Sequence, residues 1–592
     1  MVRGAIRSRP RLALPVLALL AVAGQAGAQE AEPAREGPTS LLPELFEAPP
    51  PAPADPGPGI PSPSAPPPQA PVPATAAGPG AATGAAAAAE SAAAQEAPEE
   101  PGGPVREARF AGLLSLATQG FSPDIFAGSD GRFLAGLLTR LDGPLASRWG
   151  QMLVQRALAT QALPPSGIAP GDWVAARTQA LVSLGAAADA HRMAMRVRKA
   201  DYTPRLYGAA AQAALAAADP MGLCPLATEG RLVSGENPAF VLADAWCTAI
   251  AGDPFGANQL LTEARRRRIA DNLDVQLAQR IASLGGGSRD AGNPVWAEVQ
   301  GLTAWRIGLA DAAGIAIPEP LVAAAPPPMR AWRVRHAGVP VAGRAALAPE
   351  AAGIGALSSA ELRRILALEA ADAPAGTLAG LAGGQLRQAL GATDTDSVIA
   401  AIEALVARAP AGSAAGFGYR IAASEAAARI RPSSELAAKA PLLVEAMVAG
   451  GHLSAARDWW AIAQDSDLEA RARVWAILSP ISSDLPQDEN LLDALGRATS
   501  PARAALVSAG LHGLGRGVGP APSLLSNSWT KAMDQAIAGR RTGEMLLLAA
   551  TGLQGPLSEV PPDHFRRIVA ALVAAGLEED ARMIVAEAAI RA

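Results

Sequence analysis

From Val105 onward, apolar residues recur at the three- and four-residue spacing of amphipathic helices. Gly, Pro and Asp interrupt the pattern, leaving stretches such as Trp173 to Leu184, Phe255 to Ile269, Ser359 to Ala370 and His564 to Ala574. Alternating β-branched runs are scarce, so this part of the chain reads as all-α, an array of antiparallel helix hairpins. The pattern breaks again at residues 323–344, where Pro326-Pro327-Pro328 precedes a basic stretch, Arg330-Ala331-Trp332-Arg333-Val334-Arg335-His336. That break predicts a linker or hinge between two helical halves, 105–322 and 345–592; the alternative is a loop within one array.

Two different patterns precede Val105. Arg3, Arg7, Arg9 and Arg11 stand before a short apolar run, Leu12 to Ala23, and Ala26-Gly27-Ala28 supplies small residues at a cleavage site. That order predicts a secretory signal peptide over 1–28. A membrane-spanning helix needs about 20 apolar residues, more than this run holds. The first cysteine is Cys224, so no lipid-anchor site lies near the cleavage point. Residues 29–104 are Pro, Ala and Gly with scattered acids, and runs such as Pro49-Pro50-Pro51 oppose both helix and sheet. They read as a disordered acidic linker, with too little apolar bulk to offset ordering entropy. One island, Leu41-Leu42-Pro43-Glu44-Leu45-Phe46, could dock into a partner groove through Leu41, Leu42, Leu45 and Phe46. The alternative is a chance cluster.

Four segments of the helical body share one local design: Leu181 to Ala190, Ala249 to Ala257, Met447 to Ala456 and Leu572 to Ala581. Each has an apolar helix end, then Gly185, Gly252, Gly451 or Gly576, then Ala190, Ala257, Ala456 or Ala581 five residues on. A glycine there can end the first helix in the left-handed conformation. The small alanine suits a point where the second helix crosses close to the first. This design resembles the turn of the tetratricopeptide-type superfamily of helix-hairpin repeats, which stack into α-solenoids. The family's Trp, Tyr and Pro signature is not present in order. The resemblance implies a right-handed superhelical array over much of 105–592, with a concave face that binds a protein or peptide.

Composition narrows the picture. Aromatics make up 4% of the chain, so cores must be built chiefly from Leu, Val, Ile and Ala. Lysine occurs only at Lys199, Lys439 and Lys531, an arginine bias that favours a GC-rich bacterial source. The net charge of -5 comes from the acidic linker, and the body itself is neutral. A neutral body gives no electrostatic basis for nucleic-acid binding. The run Arg265-Arg266-Arg267-Arg268 reads as a solvated helix end.

Cys224 and Cys247 flank a strong turn, Ser234-Gly235-Glu236-Asn237-Pro238. If the flanks are antiparallel helices, the two sulfurs fall at one level, and an oxidising compartment would join them. A loop of that length corresponds to about 3 kcal/mol of stabilisation. The alternative is two buried thiols.

Candidate chemistry is sparse. His191, His336, His452, His512 and His564 lack partners at zinc-ligand spacing, and no cofactor or metal is expected. Ser528-Trp529-Thr530-Lys531 matches the Ser-x-x-Lys nucleophile motif, but its companion motifs are missing. Glu578-Glu579-Asp580 reads as the start of a helix. Trp459 and Trp460, with Trp475 nearby, could mark a peptide or glycan groove; the alternative is core filling.

The sequence thus predicts a non-catalytic, exported helical scaffold. Its expected partner is a protein or peptide of the bacterial cell envelope, with localisation periplasmic or secreted and no integral membrane segment after signal cleavage. A second expectation is a peptidoglycan-associated factor, similar to the helical superhelix of lytic transglycosylases without their catalytic domain.

Overall fold

Small residues and turn geometry set the spacing of the helices, and both follow the sequence closely. The computed structural model describes residues 105–592 apart from 236, 285–291 and 298. The expected signal peptide and linker lie outside the described residues, as do Leu41, Leu42, Leu45 and Phe46. Among the described residues the chain is all-α, with no strand. The four stretches singled out above become the helices Pro170–Ser183, Pro254–Arg267, Ser359–Asp372 and Pro562–Ala574. No described helix is long and apolar enough to cross a membrane.

The four glycine turns share one geometry. Gly185, Gly252, Gly451 and Gly576 have φ of 82°, 94°, 87° and 77°. In each, the N–H after the glycine reaches a carbonyl five residues back: Ala186 to Leu181, Asp253 to Thr248, His452 to Met447 and Leu577 to Leu572. This closes the end of the first helix with the 6→1 bond of a Schellman turn. Ala190, Ala257, Ala456 and Ala581 are all buried. Three further turns have the same bonding without glycine, at Ala218, Arg268 and Arg540, with φ of 52°, 53° and 51°. A side chain in that conformation costs roughly 1–2 kcal/mol. The Arg265 to Arg268 run lies exposed at the end of the helix Pro254–Arg267, where cations suit the helix dipole.

The segment 323–344 takes in the end of the helix Glu319–Ala324, the whole of the helix Pro327–Arg333 and the start of the helix Val341–Gly353. Its prolines open the helix Pro327–Arg333 instead of breaking structure, because the first turn needs no N–H donor. Its basic side chains are tied to separate elements. Arg330 forks onto Glu350 at 2.7 and 2.6 Å, and Arg335 onto Glu361 at 3.2 and 2.8 Å. Trp332 donates its ring N–H to the Val182 carbonyl at 3.2 Å.

Two apolar cores change over within this segment. One contains buried residues from Ala108 to Trp332, and the other begins at Ala331 and Val334. Part of the region expected as the second half, from Leu506 to Ala588, packs into the first core. The helix Glu578–Arg591 serves both. Ala581, Ile584, Val585 and Ala588 face the first core, while Met583, Ala586, Ala589 and Ile590 face the second. A helix apolar on all sides must be surrounded, and this one packs against the helices Arg148–Ala159, Leu468–Leu478, Pro501–Gly513 and Pro562–Ala574.

A buried carboxylate fixes that return to the start of the body. Glu587 accepts from the Ser147 hydroxyl at 2.6 Å and from the Arg148 and Trp149 amides at 2.9 and 3.2 Å. These amides open the helix Arg148–Ala159, so the carboxylate sits at the positive end of its dipole. At the other end of that helix, fully buried Arg177 donates to the carbonyls of Leu158, Thr160 and Ala111. Burial pushes the Arg177 guanidinium down to about 9.

Candidate functional site

Where the helix Pro204–Ala216 ends, the chain turns through Ala218 and Asp219 into a short 3₁₀ turn, Pro220–Leu223. That turn, the end of the helix Pro238–Ile250, the end of the helix Asn272–Leu284, Asp311 with Ala312, and residues 335–338 line a cleft of about 640 Å³. Its rim carries three large apolar side chains in solvent: Met221 and Ile250, each 42% exposed, and Leu284, 61% exposed. Concave, mostly apolar spaces with a few convergent polar groups are where ligands are usually held.

The polar groups sit on the floor. Asp311 is buried and accepts from Arg333 at 2.9 and 3.0 Å. The His336 Nδ1 lies 2.8 Å from the same carboxylate, and its Nε2 lies 3.0 Å from the Ala216 carbonyl. The imidazole therefore joins the ends of the helices Pro204–Ala216 and Ala304–Ala312. The chain behind it runs very close: a Cβ at Gly338 would stand 1.8 Å from the Asp311 carbonyl oxygen, so no larger residue fits. At one side Asp219 accepts from the Gly222 amide at 3.1 Å and lies 3.0 Å from His191 Nε2. The His191 contact, above all, holds the Asp219 carboxyl below its usual range. These carboxylates and imidazoles are engaged with one another and with backbone, which suits a rigid floor.

A disulfide fixes two walls. Cys224 and Cys247 are bonded, with Cα atoms 5.5 Å apart. Cys224 opens the helix Cys224–Ser234 just after Met221, and Cys247 lies near the end of the next helix just before Ile250. The bond thus ties the Met221 wall to the Ile250 wall. Replacing both cysteines with serine should cost about 3 kcal/mol in urea unfolding under non-reducing conditions. A loss under 1 kcal/mol would mean that the loop was already constrained without the bond.

Other residues marked in the sequence lie elsewhere. Trp459 and Trp475 are fully buried in the second core, and Trp460 is partly buried against it. Trp459 therefore fills space between alanine-rich helices and presents no face to a groove; a core this poor in aromatics needs its bulk. Ser528 begins the helix Ser528–Ala538, and Thr530 takes part in its capping box with Asn527. Among the described residues, no three His, Cys, Asp or Glu converge as a metal site would require. Sequence reasoning did not find Met221, Ile250 or Leu284. Each closes a different helix or turn, and one exposed apolar residue is ordinary by itself.

No family model, curated protein or solved structure matches the chain.

Proposed function

We propose that this protein is a non-catalytic helical scaffold that holds an apolar segment of a partner protein in the Met221–Ile250–Leu284 cleft. The observation that carries this reading is the gathering of three exposed apolar side chains around one concave space with a fixed polar floor. The reading of the first 28 residues as an export signal and the Cys224–Cys247 bond both suit an oxidising compartment. We place the scaffold in a bacterial envelope on those grounds and on the arginine bias. The acidic segment 29–104 would enlarge the volume from which a partner is captured. The hairpin turns support kinship with tetratricopeptide-type arrays, which use concave surfaces in this way.

A photo-crosslinking amino acid placed at Met221, Ile250 or Leu284 in producing cells tests the proposal. One adduct of the same mass is expected at all three positions and not at Leu468, an exposed leucine outside the cleft. Ile250→Asp should abolish the adduct at Met221 while leaving stability within about 1 kcal/mol, because the site is on the surface. Equal adducts at Leu468, or none at the cleft, would refute the reading.

A further inference from the structure

The chain ahead of the body carries one concentrated apolar run. Between 29 and 104 the large apolar residues are Leu41, Leu42, Leu45, Phe46, Ile60 and Val72, so four of them fall within six positions. Thr39-Ser40 and Glu47-Ala48 adjoin the run, and Pro38 and Pro49-Pro50-Pro51 flank it. Large apolar side chains left in water forfeit the free energy of burial, so such a run favours any apolar space within its reach.

The Met221 cleft lies close to where this segment joins the body. Val105 is exposed, and the next residue pairs with the end of the helix Ala187–Met195. The Arg106 amide donates to the Arg196 carbonyl at 2.7 Å, and the Arg198 amide donates to the Arg106 carbonyl at 2.9 Å. That helix carries His191, whose Nε2 lies 3.0 Å from Asp219 on the lining of the cleft. The helical rise from His191 to Arg196 is about 7.5 Å, so the chain enters the body within about 20 Å of the cleft.

Residues 47–104 lie between the run and Val105. A chain of about 60 residues spans about 40 Å at random-coil dimensions and more when extended. The run therefore reaches the cleft from its own point of attachment, at an effective concentration on the order of millimolar. A cleft of about 640 Å³ has room for a few side chains of a short peptide, and its rim offers Met221, Ile250 and Leu284 to them.

We propose that Leu41, Leu42, Leu45 and Phe46 of this same chain occupy the Met221–Ile250–Leu284 cleft until a partner segment displaces them. The proposal rests on the reading of that cleft as a seat for an apolar segment. The run is a tethered placeholder. It covers the three exposed side chains in the free protein, and a partner must bind tightly enough to exceed its effective concentration.

The test uses purified, dilute full chain with a photo-crosslinking amino acid at Met221. An internal adduct at the mass of one chain is expected, joining position 221 to the peptide that contains residues 41–46, with a yield independent of protein concentration. Leu42→Ser/Phe46→Ser should lower that yield at least fivefold with an unchanged far-UV spectrum, and Ile250→Asp should do so from the cleft side. In producing cells, the Leu42→Ser/Phe46→Ser chain should give at least threefold more partner adduct at Met221. An internal adduct that is absent, maps to another peptide, or forms only between two chains as concentration rises would overturn the proposal. Partner adducts that persist in that case would leave the cleft reading standing, whereas loss of both kinds of adduct would sink both.

Discussion

Glu587→Ala is expected to lower the stability of the body by about 3–5 kcal/mol, read as a fall in the urea midpoint. The carboxylate is fully enclosed and takes three donors from the opening of the helix Arg148–Ala159, besides Arg591. Removing it strands two amides and a hydroxyl in a space without solvent. It also leaves Arg148 and Arg591 buried without their shared counter-charge. Burial has already pushed the Arg148 guanidinium down to about 10, and Glu587 is the main influence opposing that shift. Glu587→Gln retains an oxygen acceptor and nearly the same volume, so about half the loss is expected if charge and hydrogen bonding contribute alike. A change under 1 kcal/mol for the alanine variant would mean that water or a shifted helix replaces the carboxylate.

The second large effect is expected at Asp311→Asn. This substitution keeps size and shape, so any loss reflects charge. Arg333 and His336 both depend on this carboxylate, and all three side chains are buried. With the charge removed, the guanidinium faces one acceptor oxygen where it had two. A loss of about 3 kcal/mol is expected, together with weaker crosslinking at Met221, because His336 ties the cleft floor to the helix Pro204–Ala216. An intact cleft, judged by undiminished crosslinking, would show that the floor is held by backbone packing instead.

The glycine turns were legible because one residue type supplies the left-handed conformation and a small residue follows at a fixed distance. The turns at Ala218, Arg268 and Arg540 were not, because the same closing hydrogen bond holds the left-handed conformation there on residues that do not favour it. The disulfide was legible because its cysteines flank a marked turn at matched distances. The linker expected at 323–344 shows the limit of proline as a punctuation mark: Pro327 and Pro328 begin a helix. Trp459 shows a second limit. An aromatic pair reads alike whether it faces solvent or core, and only the arrangement of neighbouring helices decides. The cleft around Met221 joins residues that are remote in sequence, so no local pattern could assemble it. One signal was open to reading: Glu587 is the lone acid within the apolar run from Met583 to Ile590. An isolated acid on a helix apolar on every side needs a buried partner.

The return of the helix Glu578–Arg591 to Ser147 has a consequence for how such a chain can change length. Arrays stacked only on sequence neighbours can gain or lose a hairpin, because each unit needs just the one before it. Here the bond from Ser147 to Glu587 joins residues 440 positions apart. Inserting or deleting a hairpin between them would carry the last helix away from its seat and expose both of its apolar faces at once. The number of hairpins is therefore a fixed integer for this body, and variation among its descendants belongs in the turns, where added residues leave the seat in register.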